Sequence, residues 1–111
     1  MLELPISVTP GLRFPVIGTF VATLPQPLTR SLYQACRGDV LFNLELHAVD
    51  ALDATDGIPA PLLRHQRDLR VPAARKLARL GALLRLLQPG REVMPLAEAA
   101  ARLAGSAGAT A

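Results

Sequence analysis

The chain has 111 residues, of which half are apolar and 19% are charged, and its formal net charge at pH 7 is +3. This length corresponds to one domain with its own core, and this composition excludes an extended disordered chain. The sequence has no run of 18 or more apolar residues, so we predict no membrane span, and its one cysteine, Cys36, excludes an intramolecular disulfide.

The N-terminal residues predict a β-hairpin. Residues 2–8 alternate between apolar and polar side chains, which is the pattern of a half-buried strand. Pro5 cannot donate a ladder hydrogen bond, so this strand is predicted at a sheet edge. Residues 9–12, Thr-Pro-Gly-Leu, suit a type II turn, and the apolar residues 14–23 suit the second strand. An alternative for residues 14–23 is an extended segment that packs under a partner.

A short helix and a third strand are predicted next. Leu28, Leu32 and Cys36 fall at helical spacing after two prolines, and Cys36 is predicted to pack in the core rather than act as a nucleophile. Residues 40–49 alternate again and form the clearest predicted strand. A loop over residues 50–61 follows, with three aspartates spaced by three.

The second half predicts three helices, over residues 61–70, 73–88 and 95–104, each bounded by proline or glycine. We therefore predict an α+β fold, in which a small sheet (the β-hairpin plus a third strand) is covered by the short helix and the C-terminal three-helix segment. Residues 1–105 form the single predicted domain, and residues 106–111 a flexible tail.

Helix 73–88 is predicted to be amphipathic. Five apolar residues lie within an arc of about 80° and are expected to face the core: Ala73, Leu77, Leu80, Leu84 and Leu87. Four bases lie on the opposite half, Arg75, Lys76, Arg79 and Arg85. Leu83 and Leu86 fall on this basic side, where a partner would be needed to cover them.

Charge is divided between two neighbouring blocks. Residues 38–63 contain five acids and no base, whereas residues 64–91 contain eight bases and one acid, Asp68. Nucleic acid would account for the bases alone. A contact between the two blocks, within the fold or between two copies, accounts for both signs.

We expect a non-enzymatic protein-interaction or assembly subunit that acts through the amphipathic basic helix and a strand edge. Its partner is expected to be a second copy, in a homo-oligomer, or another protein. The interaction residues predicted from exposure and charge are Arg75, Arg79, Leu83, Leu86, Arg64 and Arg67.

Two alternatives remain at this stage. A small nucleic-acid-binding regulator would use the bases of residues 64–79 against phosphates, although this stretch contains no aromatic residue to stack on bases. A small apolar-ligand carrier would hold its ligand between helices and sheet.

No catalytic residue, metal ligand set or cofactor motif is predicted. The aspartate loop has neither the alternate-position ligands nor the final glutamate of an EF-hand. Cys36, His47 and Asp50 are the residue types of a catalytic triad, but any chain with these residues offers such a set. No phosphate-binding glycine loop occurs. Residues 1–10 do not resemble a signal peptide, and a single cysteine favours a reducing, cytoplasmic location. Eleven of the twelve bases are arginine, which is typical of a GC-rich bacterial genome.

Overall fold

The structure of this chain is a computed structural model that describes residues 3–108. Within these residues the chain forms five α-helices, two short 3₁₀ turns and several extended segments. The helices are α1 (Gly18–Thr23), α2 (Gln26–Ala35), α3 (Ala60–His65), α4 (Ala73–Leu87) and α5 (Leu96–Gly108). The 3₁₀ turns are Ala48–Asp50 and Arg67–Arg70.

The predicted α+β fold is wrong, because residues 3–108 form helices and contain no sheet. Strand-like pairing is limited there to two isolated bridges, Val8 with Pro15 and Ile17 with Glu45. Prolines at positions 5, 10 and 15 lack the N–H donors that a continuous ladder requires. Extended segments therefore touch at single points and do not extend into a sheet.

Residues 14–23, predicted as the second hairpin strand, divide into a short extended part and helix α1. A turn precedes them, with Gly11 at φ 73°, but its hydrogen bond runs from Arg13 N–H to the Thr9 carbonyl at 2.9 Å, one residue longer than the predicted type II turn. From Gly18 onward the chain is helical, because α1 packs against α4. Packing against a helix has overridden the β preference of Val, Phe and Thr in this segment.

Residues 40–49, predicted as the third strand, are extended as far as His47 and then enter a 3₁₀ turn. Two backbone–backbone hydrogen bonds attach this segment to the N-terminal half: the Asn43 carbonyl accepts from Ser7 N–H at 3.0 Å, and the Glu45 carbonyl accepts from Gly18 N–H at 2.8 Å. Asn43 also donates to Ser7 Oγ and, from its side chain, to the Leu4 and Pro5 carbonyls. At the other end of the segment, the Val49 carbonyl accepts from Lys76 of α4.

The three C-terminal helices agree with the sequence pattern to different degrees. The helix predicted at residues 73–88 is confirmed as α4. The helix predicted at residues 61–70 is interrupted at Gln66, whose extended backbone separates α3 from the second 3₁₀ turn. Helix α5 continues to Gly108, so residues 106–108 of the predicted tail are helical, and residues 109–111 lie outside the described residues.

The core lies where α1, α2 and α4 meet. Its buried side chains come from these helices, from the extended segment before α1 and from the end of α2: Val16, Val21, Tyr33, Cys36, Leu83 and Leu87. The rings of Tyr33 and Phe42 pack edge to face, with centroids 5.7 Å apart, which links α2 to the extended segment 40–46.

The predicted inner face of α4 is only partly confirmed: Leu87 is buried and Leu80 packs against the core, but other residues of this face are exposed. Leu83 is 1% exposed, whereas Leu77 and Leu84, both predicted to face the core, are 52% and 47% exposed. Lys76 and Leu87 lie with Leu83 on the buried face, at spacings of seven and four residues. Because α4 carries leucines on two faces, hydrophobicity alone does not select the buried one. The polar contacts of Lys76 and Arg79, described below, decide it.

The chain is elongated for its size. Its radius of gyration is 16.0 Å and its extents are 54 × 30 × 25 Å, whereas a compact chain of this length has a radius of gyration of about 13 Å. Within residues 3–108, helix α5 forms no extensive packing with another helix. Helix α5 is therefore held mainly by segments other than helices: its Ala99 is 7% exposed, and its Arg102 binds Glu92 in the turn before it.

Candidate interaction groove

A concave surface lies between the core and helix α5. We call it the groove; its volume is about 640 Å³. Its walls are the extended segment 39–46, the C-terminal end of α4, the turn 90–94 and the start of α5. Its apolar lining includes Phe42, Leu44, Leu46, Leu84, Leu87 and Leu96.

The groove exposes large apolar side chains to solvent. Leu84 of α4 is 47% exposed, Leu96 of α5 is 56% exposed and Leu46 of the extended segment is 55% exposed. Val40 and Val93, at the rim, are more exposed still. Single exposed leucines are ordinary on a protein surface, but several around one concavity are typical of a binding site.

Arg91 holds one end of the groove in place. Its guanidinium Nη2 donates to the carbonyls of Cys36, Arg37 and Asp39, at 3.0, 3.2 and 2.9 Å. The same guanidinium lies 5.5 Å from the centre of the Phe42 ring, a cation–π contact. Arg91 therefore ties the turn after α4 to the end of α2 and to the extended wall.

Arg102 fixes the position of α5 against the turn 90–94. Its guanidinium binds both carboxylate oxygens of Glu92, at 2.7 and 3.0 Å, and Glu98 at 2.6 Å. The hydrogen bond from Arg102 lowers the pKa of the Glu92 carboxyl below its usual value. The pairing of Arg102 with Glu98, four residues apart on one helix, was expected from the sequence pattern. Its bidentate bond to Glu92 depends on how the turn folds back on α5.

Two bases of α4 bind backbone carbonyls of the same chain. Lys76 is fully buried; its Nζ donates to the Val49 carbonyl at 2.6 Å and lies 4.0 Å from Asp68 Oδ2. Arg79 donates from Nη1 to the carbonyls of Ala22 and Thr23, at 2.9 and 2.6 Å, at the C-terminal end of α1. A cation at that end of a helix satisfies carbonyls that have no partner within the helix.

The aspartates of the loop 50–61 stabilise local structure. Asp53 accepts from the first N–H of α4, at Ala73, at 2.6 Å and from Thr55, and these hydrogen bonds lower its pKa to about 2. Asp50 is buried and accepts from Thr19 Oγ1 at 2.9 Å and from His47 N–H at 2.8 Å. Among residues 3–108, no group of three or more His, Cys, Asp or Glu side chains is arranged to hold a metal ion.

Cys36 lies in the core, as its helical spacing predicted. Its Sγ is 3.6 Å from the Val8 carbonyl, which accepts a weak hydrogen bond from the thiol. Burial raises the pKa of the thiol; the nearby Asp39 raises it further, and Arg91 opposes this shift. His47, by contrast, has an exposed side chain near Glu45. The thiol is therefore protonated at neutral pH, which disfavours nucleophilic chemistry at this position.

The six predicted interaction residues do not form one surface. Leu83 is in the core, Leu86 packs against it, and Arg79 is engaged by α1. Arg64, Arg67 and Arg75 are exposed, and no hydrogen bond or ion pair engages their side chains within the described residues. The role assigned to these six residues in binding stays a prediction.

The groove was not predicted from the sequence. One signal for it was available: α4 carries leucines on opposite faces, more than a single buried stripe of one helix accommodates. Leu84 belongs to the surplus face. The other walls come from residues more than 40 positions apart in sequence, at Leu46 and Leu96, and no local pattern links them.

Comparison of the chain with protein-family models, with curated proteins and with solved structures finds no match. Within the part of the chain that the structure describes, no helix combines the length and the apolar character needed to cross a bilayer.

Proposed function

We propose that this protein is a non-enzymatic assembly subunit that acts by packing its groove against another protein chain. The observation that supports this proposal is the ring of exposed leucines at positions 46, 84 and 96 around one concavity. We place the protein in a reducing compartment, the cytoplasm, because its only cysteine is a buried, unpaired thiol.

The energetics favour a protein partner for the groove. Covering the exposed halves of Leu46, Leu84 and Leu96 contributes about 1 kcal/mol each in transfer free energy. Two of the three arginines that line the groove, Arg91 and Arg102, are already engaged by carbonyls and carboxylates of the same chain, and the third, Arg37, lies in the same lining as the acid Asp39. The groove therefore presents mainly apolar surface with few free charges, which suits an apolar protein surface better than a phosphate backbone.

Site-specific photo-crosslinking in the native cells tests this proposal. A benzophenone amino acid replaces Leu96 in the groove, and in a control it replaces Arg30, an exposed residue of α2 outside the groove. We expect one discrete protein adduct from position 96 and none from position 30. Equal labelling from both positions, or none from position 96, contradicts the proposal. A lipid-like molecule in a denaturing extract of the purified protein would instead identify a carrier.

A second candidate function is the binding of a nucleic acid, and a specific surface favours it. Arg64, Arg67, Arg70 and Arg75 are exposed, and their side chains have no hydrogen-bond or ion-pair partner among the described residues. Asp68, the one acid between them, is buried. The surface of this stretch is therefore purely basic, which is what phosphate neutralisation requires.

A gel shift at low and at high salt tests this candidate. Replacing Arg64, Arg67 and Arg75 with Gln is expected to abolish a salt-sensitive shift of the wild-type protein. Replacing Arg85, an exposed arginine further along α4, serves as the control. Absence of a wild-type shift at low salt excludes this function, because phosphate contacts are strongest there.

A further inference from the structure

We infer that the partner of the groove is a second copy of this chain, so that two copies pair groove to groove about a two-fold axis. This inference rests on the proposed function and names its partner. The residues at its centre are Leu84 and Leu96, one on each wall of the groove.

The first argument is the area of exposed surface. The chain exposes 7496 Å², whereas a compact monomer of its mass, 11.8 kDa, exposes about 5,900 Å². The excess is about 1,600 Å² per chain, or about 3,200 Å² for two copies. Obligate homodimers bury about 2,000–5,000 Å² in total. The excess is therefore of the size that one dimer interface would cover.

The second argument is charge. In a two-fold interface each residue near the axis meets its own counterpart, so an unpaired charge at the centre is repelled by its copy. Arg102 is paired with Glu92 and Glu98 of its own chain, and Arg91 donates to three carbonyls of its own chain. Arg91 and Arg102 are compensated before pairing, and the other free charges of the lining, Arg37 and Asp39, have opposite signs, which limits like-charge repulsion when two copies meet at Leu84 and Leu96.

The third argument is complementarity of shape within one chain. Helix α5 has 13 residues and is about 20 Å long, and it has no extensive packing with another helix among residues 3–108. The groove beside it is an open concavity. A two-fold contact gives α5 a surface to pack on and fills the groove, because α5 of each copy lies against the groove of the other.

The oligomeric state tests this inference, with single substitutions that separate the groove from other exposed leucines. Leu84→Glu and Leu96→Glu place a carboxylate at the proposed centre of the interface. Leu77→Glu is the matched control, because Leu77 is on the same helix as Leu84 and is 52% exposed but does not line the groove. Circular dichroism of each variant establishes that it is folded before masses are compared.

Light scattering and native mass spectrometry from about 1 to 200 µM supply the measurement. We expect the wild type and Leu77→Glu to have twice the monomer mass of 11.8 kDa. We expect Leu84→Glu and Leu96→Glu to weaken the dimer by at least about 30-fold. A monomeric wild type throughout this range overturns the inference, as does a dimer that both groove variants leave intact.

The crosslinking experiment distinguishes failure of this inference from failure of the proposed function. A monomeric protein whose position 96 crosslinks to a different protein retains the assembly role and lacks self-pairing. A monomeric protein that yields no adduct at position 96 has neither the assembly role nor self-pairing. An adduct whose mass is twice that of the chain supports both.

Discussion

The buried pair of Lys76 and Asp68 leads to the sharpest prediction about stability. Lys76 is 0% exposed and Asp68 is 6% exposed, and their charged atoms lie 4.0 Å apart. This separation is an ion-pair distance but exceeds a hydrogen bond, and Asp68 Oδ2 has no hydrogen-bond donor among the described residues. Lys76 is therefore the nearest charged partner of Asp68, whereas Lys76 itself also has the 2.6 Å bond to the Val49 carbonyl and an electrostatic interaction with Asp53.

Lys76→Met is expected to destabilise the protein by about 3–5 kcal/mol. The substitution leaves the Asp68 carboxylate buried without its cation, and removal of one partner of a buried pair has costs of that order. It also removes the donor to the Val49 carbonyl, which adds about 1 kcal/mol or more. Such a loss is a large share of the roughly 5–15 kcal/mol that stabilises a small domain.

Asp68→Asn and the double variant complete a thermodynamic cycle. Asp68→Asn removes the carboxylate and keeps the shape, and it is expected to lower stability by about 2 kcal/mol because Lys76 then loses its buried counter-charge and retains the Val49 carbonyl and Asp53. The double variant, with Met at 76 and Asn at 68, contains no buried charge at this point. It is therefore expected to be more stable than the sum of the single effects predicts, by at least about 1 kcal/mol.

Urea unfolding followed by far-UV circular dichroism measures all four proteins. Additive effects, with a coupling energy near zero, would refute the interaction between Lys76 and Asp68. A Lys76→Met protein as stable as the wild type would refute the buried position of the lysine. If Lys76→Met does not fold, Asp68→Asn and the double variant still report whether removal of both charges is tolerated better than removal of one.

Three further predictions concern single positions. The stability advantage of wild type over Asp53→Asn is expected to be complete above about pH 4 and to disappear as the pH falls through the lowered pKa of about 2, as urea unfolding at several pH values would show; a constant difference would contradict it. Gly18→Ala is expected to lower stability by about 2 kcal/mol, because a Cβ there would overlap the Asp50 carboxylate, whereas Gly38→Ala meets open space; equal melting temperatures would contradict it. Arg91→Met is expected to accelerate hydrogen exchange in residues 37–42 without unfolding α4, and unchanged exchange would mean that the clamp is not formed in solution.

The sequence pattern predicted α4 well and the strands poorly, for one physical reason. Helix α4 was predicted from its proline and glycine boundaries and its leucine periodicity, which are local signals. A strand is stable only when another strand pairs with it. Residues 40–49 have a strand pattern, but their neighbours are a proline-containing segment and the first residue of α1, so only isolated bridges form.

The division of charge was visible in the sequence, but the partners of these charges were not. The two blocks meet at Asp53, which interacts with the charge of Lys76; its hydrogen bond from the first N–H of α4 comes from a neutral backbone group. Lys76, Arg79 and Arg91 bind mainly backbone carbonyls of segments far away in the chain. A carbonyl acceptor is present at every residue, so no residue type marks it in advance.

Local properties of this chain follow from its residues alone: the bounds of α4, that Cys36 is internal, and that α4 has basic and apolar faces. These depend on interactions within a few residues. Which leucines of α4 are buried, and that Leu46, Leu84 and Leu96 surround one groove, depend on contacts between distant segments. Lys76 and Arg79 bind Val49 and the end of α1, and these bonds set the rotation of α4 that buries Leu83 and exposes Leu84. The candidate site is a product of that rotation, because a helix with two apolar faces has no local reason to prefer either.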